Sequence, residues 1–163
     1  MIQLHGRFPA LRHDDVELWE SNSIGRLLCM MVGGDARGLY PEKAGARANV
    51  DRWLDWQLPT LSPAERDLFW NMLRPPEEKR DMQAVANSAR CRAIIEAQLS
   101  DGRPFIEGGA FTLADIVMGC FARRWFGPEM RVPGMPEFPH LAQWHARIGE
   151  RPDFQRQVAP KLS

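Results

Sequence analysis

Ile106-Glu107-Gly108-Gly109-Ala110-Phe111-Thr112-Leu113-Ala114-Asp115-Ile116-Val117-Met118-Gly119-Cys120-Phe121-Ala122-Arg123-Arg124-Trp125-Phe126 is the stretch from which the rest of the chain is best read. Thr112 and Asp115 stand three residues apart, the spacing of a helix N-cap and its reciprocal partner. The Thr112 hydroxyl can accept the Asp115 amide, and the Asp115 carboxylate can reach back to the Thr112 amide while complementing the positive helix end. Aspartate is a shortened version of the glutamate or glutamine usual there. Beyond the cap, Leu113, Ala114, Ile116, Val117, Met118, Cys120, Phe121 and Ala122 place apolar groups around the whole circumference. That pattern predicts a helix enclosed by other helices. Arg123 and Arg124 interrupt it after about ten positions, too few to span a bilayer. Gly108 and Gly109 suit a tight turn before the cap.

The chain has 163 residues, with 21 basic and 21 acidic side chains. This length supports one sizeable core, and the charge balance gives no bulk attraction to nucleic acid or to an acidic membrane. Cys29, Cys91 and Cys120 are odd in number, widely spaced and without a C-x-x-C pair. A reducing compartment fits them better than a disulfide framework. The start, M-I-Q-L-H-G-R-F-P, lacks the charged-then-apolar pattern of a signal peptide, so a cytoplasmic protein is expected.

Working outward, Phe8-Pro9-Ala10-Leu11 and Val16-Glu17-Leu18, with His13-Asp14-Asp15 as the turn, predict one short hairpin. Glu20-Ser21-Asn22-Ser23 then reads as a capping cluster before a helix carrying Ile24, Leu27, Leu28 and Met31, ended by Gly33-Gly34. A long helix is predicted from about Glu42, with Ala46, Val50, Trp53, Leu54 and Leu58 on one stripe, and Pro59 is expected to kink or end it. Ser62-Pro63-Ala64-Glu65 carries the signals of a fresh helix start, with Leu68, Phe69 and Met72 apolar. The next helix is predicted from about Glu78 to Leu99, with Met82, Val85, Ala86, Ala89, Ala93 and Ala97 on its buried face. After the Ile106–Phe126 stretch, a loop over 127–139 leads to a helix with Leu141, Trp144 and Ile148, and Arg151-Pro152-Asp153-Phe154 opens a last short one. The fold class is mostly α: a helical bundle preceded by a small β remnant.

Phe111-Thr112-Leu113-Ala114-Asp115-Ile116 resembles the N-capped, buried helix of the C-terminal domain of glutathione transferases. Gly6-Arg7-Phe8-Pro9-Ala10-Leu11 and Leu18-Trp19-Glu20-Ser21-Asn22-Ser23-Ile24 are similar to the second half of that family's thioredoxin-like domain. Pro139, Trp144 and Arg151-Pro152-Asp153-Phe154 are similar to its last helices. The resemblance therefore implies a partial thioredoxin-like, glutathione-binding segment over 1–32 and a helical domain over 33–163. It also implies a first strand–helix–strand unit, carrying the catalytic Tyr, Ser or Cys, ahead of the segment with which this sequence begins. It implies glutathione as ligand or substrate and a homodimer.

On that resemblance, Phe8 before Pro9 offers its backbone to the cysteinyl amide of glutathione at a cis-proline. Ser21 and neighbouring amides receive the γ-glutamyl carboxylate, as helix N-termini receive anions, and Glu20 pairs with the ligand's ammonium. Read without the resemblance, Ser21 is an N-cap, Glu20 complements the helix dipole and Pro9 is an edge-strand proline. Thr112 and Asp115 are assigned to folding. Trp70 and Arg74 read first as packing residues and second as the border of an acceptor pocket. His140 and His145, five apart, share no helix face and suggest no metal site. His5 and His13 read as solvated loop histidines, and Cys29 as core. The function implied is conjugation of glutathione to hydrophobic electrophiles once an N-terminal segment completes the fold. The alternative is a non-catalytic dimerisation or interaction module.

Overall fold

In a computed structural model of the chain, residues 8–33, 38–127 and 133–160 are described. His5, Gly6, Arg7, Gly34 and the loop over 128–132 lie outside them. Strands β1 (Ala10–His13) and β2 (Val16–Trp19) form an antiparallel hairpin, with His13 opposite Val16 and Ala10 opposite Trp19. Two residues, Asp14 and Asp15, make the turn, and Asp14 takes a positive φ of 52° as a tight hairpin turn requires. Seven α-helices follow: α1 (Ser21–Met31), α2 (Ala44–Trp56), α3 (Ser62–Leu73), α4 (Met82–Leu99), α5 (Leu113–Phe126), α6 (Pro139–Gly149) and α7 (Pro152–Gln157).

Helix α5 is the hub, packing on α1, α2 and α6. Two glycines allow close approach. A Cβ at Gly25 of α1 would stand 3.2 Å from the Leu113 side chain, and one at Gly119 of α5 would stand 2.8 Å from Ile148. The main core gathers Val50, Leu54, Leu61, Ile95, Leu99, Ile106, Ala114, Met118, Leu141, Trp144 and Ile148 around α5. A smaller core of Leu68, Met72, Val85, Ala89 and Trp125 fills the space between α3, α4 and the end of α5. The enclosure of α5 is incomplete, however. Ile116 is 40% exposed, and Cys120, one turn on, is exposed as well. Helix α1 likewise leaves Leu28, Met30 and Met31 outward, and its buried residues are Asn22 and Cys29.

Helix α2 ends as an α-helix at Trp56, just ahead of Pro59, and α3 runs from Ser62 to Leu73 as expected, but the chain between them stays in helical geometry and no side chain caps α3. A π-helical turn, Gln57–Leu61, joins α2 to α3, and the position before Ser62 is Leu61, in helical geometry with φ −73° and ψ −46°. The wider turn accommodates a residue that lacks an amide hydrogen and whose ring crowds the preceding turn. It also rotates the register, so that Gln57 is buried while Leu58 points outward. Helix α4 starts four residues later than expected, at Met82, where Asp81 caps it by accepting the Gln83 amide at 2.8 Å. Its buried face is Ala84, Val85, Ser88, Ala89, Cys91, Arg92, Ile95 and Leu99; Met82, Ala93 and Ala97 are exposed. A polar pair decides that rotation.

Glu65 is fully buried and Arg92 nearly so. Arg92 donates through Nη2 to Glu65 Oε2 (2.9 Å) and to the Phe121 carbonyl (3.2 Å), while Nη1 reaches Glu65 Oε1 and Ser88 Oγ. The guanidinium lies over the Trp125 ring at 4.4 Å from its centroid. Glu65 thus serves as the counterion of the core rather than as a capping residue of α3. Another carboxylate acts across helices at the surface. Glu96 of α4 accepts the amides of His140 (3.2 Å) and Leu141 (2.8 Å), and so caps α6, whose own N-cap position, Phe138, supplies no side-chain bond.

Removing one partner of the buried pair should be far worse than removing both. Glu65→Ala should lower stability by about 3–5 kcal/mol. Glu65→Ala combined with Arg92→Met should recover most of that loss in urea unfolding. Additive losses in the double variant would show that the pair is not coupled.

Candidate functional site

The hairpin register places the expected ligand residues together. Because Ala10 pairs with Trp19, the residues just outside the paired ends are Pro9 on one strand and Glu20 on the other. Phe8 and Pro9 are therefore brought beside Glu20 and Ser21 at one end of the hairpin, where α1 begins. The Phe8–Pro9 peptide is cis, and the Phe8 side chain is 94% exposed.

Ser21 is the first residue of α1 and not its cap. The N-cap position is Glu20, with φ 71° and ψ 115°, and no side chain caps the helix. The Glu20 carbonyl accepts the Ile24 amide at 2.9 Å, closing the first turn. A non-glycine residue at this φ costs about 1–3 kcal/mol and persists where the surroundings enforce it. Here β2 and α1 fix both neighbours. The helix end is open, and open helix N-termini favour anions.

Residues that the Ser-Asn-Ser cluster did not reveal hold α1 in position. Asn22 is buried, and its Nδ2 donates to the Leu54 carbonyl (2.8 Å) and to Gln57 Oε1 (3.0 Å), across to the π-helical turn. Arg26 bridges Asp51 and Asp55 of α2, at 2.7 Å each. Tyr40 donates to Asp51 at 3.0 Å, and burial together with Asp51 holds its phenol above the usual range, in the donor form. The only sequence signals for these roles are long-range partners, which no local pattern exposes.

Thr112 and Asp115 form the expected capping box at the start of α5, beside α1 through the Leu113–Gly25 contact. Asp115 does more than cap. Its Oδ2 accepts the Thr112 amide (2.9 Å) and hydroxyl (3.1 Å), and its Oδ1 accepts the Ile106 amide (2.9 Å) and Trp144 Nε1 (2.8 Å). Burial pushes its pKa up, and the donors from Ile106, Thr112 and Trp144 pull against that shift.

The histidines go separate ways. His140 Nδ1 lies 2.7 Å from Glu96, His13 lies 3.5 Å from Asp14, and His145 sits between the rings of Phe126 and Phe154. Burial, with cationic Arg123 nearby, pulls the His145 pKa down to about 4. Cys29 is buried, as expected of a core residue.

These features coincide with a known family. The family model for the glutathione S-transferase C-terminal domain matches residues 54–152. The chain is 32% identical to glutathione S-transferase GstB of Escherichia coli (strain K12), over 98% of this chain and 76% of that protein. It is 25% identical to glutathione S-transferase F10 of Arabidopsis thaliana, over 99% of this chain and 77% of that one. Among solved structures, it is similar to the theta class glutathione S-transferase from Xanthomonas axonopodis pv. citri with glutathione bound. That likeness has a TM-score of 0.82 and 38% identity, over 94% of this chain and 80% of that one. The chain belongs to the glutathione transferase family.

Two measurements test the local chemistry. Asp115→Ala strands three buried or half-buried N–H donors, at about 1 kcal/mol or more each. It should cost about 3 kcal/mol in all and lower the melting temperature by roughly 10 °C. An unchanged melt would remove the folding role. For His145, the unfolded chain takes up the proton near the ordinary value of 6.5 and the folded chain only near 4. Its contribution to stability is therefore complete above about 6.5 and is lost as pH falls toward 4. Urea unfolding followed across that window should fall with pH, and His145→Phe should flatten the slope.

Proposed function

We propose that the chain is the glutathione-holding and helical part of a glutathione transferase, with residues 1–32 as a partial thioredoxin-like segment and 33–163 as the helical domain. The observation that carries this reading is the hairpin register, which sets Phe8-Pro9 beside Glu20-Ser21 at the open N-terminus of α1. The Phe8 backbone pairs with the cysteinyl amide of glutathione. Ser21 and the free amides of the first turn of α1 bind the γ-glutamyl carboxylate, and Glu20 binds the ammonium. The glutathione-bound structure of a similar protein supports the ligand.

Joined to a strand–helix–strand segment that activates the thiol, the complete fold conjugates glutathione to a hydrophobic electrophile. The thiolate sulfur forms a bond to the electrophilic carbon, and the leaving group departs with its electron pair. The protein lowers the thiol pKa and orients the thiolate. The chain works in the cytoplasm as a homodimer. Among the described residues the two-stranded hairpin has unpaired edges, and with the exposed Phe8 and Trp19 these support self-association of the 163-residue chain taken by itself.

Calorimetric titration of glutathione into the 163-residue chain should show weak binding and no turnover of a standard electrophile. Ser21→Ala should weaken binding about fivefold, the equivalent of one hydrogen bond. Glu20→Gly should relieve the positive φ and raise the melting temperature while weakening glutathione binding. No binding by the unmodified chain would leave the interaction module as the better reading. Light scattering at micromolar concentration should give the mass of a dimer; a monomer would refute the assembly.

A further inference from the structure

Pro59 sits inside a helical run, in the π turn Gln57–Leu61, and it is exposed. Its ring therefore fills no core, and its effect is exerted through the backbone. A π turn spaces its hydrogen bonds five residues apart. At that spacing the carbonyl that looks to position 59 is Leu54's, and proline has no amide hydrogen to give it. Asn22 supplies one. Its Nδ2 donates to the Leu54 carbonyl at 2.8 Å and, with the second hydrogen, to Gln57 Oε1 at 3.0 Å. A carbonyl only accepts, so Asn22 must turn its amide nitrogen to Leu54, and the remaining hydrogen then requires an oxygen from Gln57.

Both side chains are buried, Asn22 at 2% and Gln57 at 4% exposed, so water cannot stand in for a bond that is not made. The π turn is what points Gln57 inward while Leu58 points out. Asn22 is also the second residue of α1. The Ile24 amide is taken by the Glu20 carbonyl, and the amides of Ser21, Asn22 and Ser23 precede it in the open first turn. A side chain that fixes Asn22 therefore fixes the direction of these amides. Arg26, one turn further on, ties α1 to Asp51 and Asp55 from a half-exposed position. The first turn itself is held by Asn22.

We infer that Pro59, acting through Gln57 and Asn22, is a positioning residue for the anion-binding end of α1. The turn that accommodates the proline presents two acceptors side by side, the Leu54 carbonyl and Gln57 Oε1, and the Asn22 amide locks onto them. With alanine at position 59 the missing hydrogen returns, and the run can close its ladder at four-residue spacing. That rotates Gln57 outward and takes the acceptor pair apart. The identity of the ligand rests on the glutathione reading above; the placing of the first turn of α1 by Pro59 does not.

The test follows the backbone amide signals of the isotope-labelled chain by NMR, first free and then during titration with glutathione. Pro59→Ala should melt no lower than the unmodified chain, because alanine suits a helix and proline does not. It should nevertheless shift the free-state signals of Ser21, Asn22, Ser23 and Ile24 and weaken glutathione about fivefold, the equivalent of one hydrogen bond. Gln57→Met, which removes the acceptor, should do the same to the signals and the affinity. Gln57→Glu keeps an acceptor oxygen whether or not it is ionised, and should hold the affinity within about twofold. Leu58→Ala, in the same turn but facing solvent, should change neither. The Gln57 pair decides the matter if Pro59→Ala fails to fold. Unmoved signals at the start of α1 in Pro59→Ala and Gln57→Met would overturn the inference, whether or not glutathione binds. So would a loss in Gln57→Glu equal to that in Gln57→Met, or a lower melt of Pro59→Ala with its affinity intact, since either is what a merely structural role gives. Shifted signals in a chain that binds no glutathione would sink the ligand reading alone. Glutathione bound equally well by the unmodified chain, Pro59→Ala and Gln57→Met would sink this inference alone.

Discussion

One carboxylate ties the molecule together. Asp115 is buried where a charge is expensive, and four donors from three parts of the chain converge on it. The turn at Ile106, the cap at Thr112 and the indole of Trp144 on α6 all take their position from the same two oxygens. A buried carboxylate left with half its partners would be worse than an apolar side chain there. The segments must therefore arrive together, which makes the loop before α5, the start of α5 and the middle of α6 one cooperative unit. The start of α1, where the ligand is proposed to bind, leans on that unit, since Leu113, the first residue of α5, is what Gly25 of α1 packs against.

A second buried charge organises the other end. Glu65 and Arg92 link α3 to α4, and the Arg92 guanidinium reaches both the Phe121 carbonyl and the Trp125 ring of α5. The smaller core forms around this pair. The contrast with Arg74 and Arg124 is one of partners: Arg92 has its carboxylate inside, whereas among the described residues the other two meet aromatic faces and no carboxylate. Cation–π contact is compatible with a further anion, whereas a filled carboxylate fork is not.

Local patterns carried much of this architecture. The capping box at Thr112, the hairpin, the Leu141-Trp144-Ile148 stripe and the short last helix are properties of neighbouring residues, and they stand as read. The errors share a cause. Helix α3 does start at Ser62, but Glu65 does not cap it, because the buried Arg92, 27 residues on, claims that carboxylate, and a π-helical turn keeps the chain helical through Pro59. The buried face of α4 differs from the expected one because Ser88 and Arg92, polar residues by type, turn inward to Glu65. Ser21 has the local pattern of a cap, but Glu20, at a backbone angle no local rule favours, holds that place. The residues proposed to hold the ligand are legible only by resemblance: glutamate and serine before a helix are common, and only the hairpin register brings them beside Phe8-Pro9.

The cap of α6 has a consequence for how the chain could be divided. The carboxylate that closes its first turn belongs to Glu96, on a helix 44 residues earlier. Most helices carry their own start signal and can be moved between contexts as units. This one has Pro139 in its first turn but borrows its cap. A fragment, graft or circular permutant that includes α6 but leaves α4 behind would lack the carboxylate that accepts the His140 and Leu141 amides. The last third of the chain is thus portable only in company with α4, and its boundaries as a transplantable module are set by a side chain outside it.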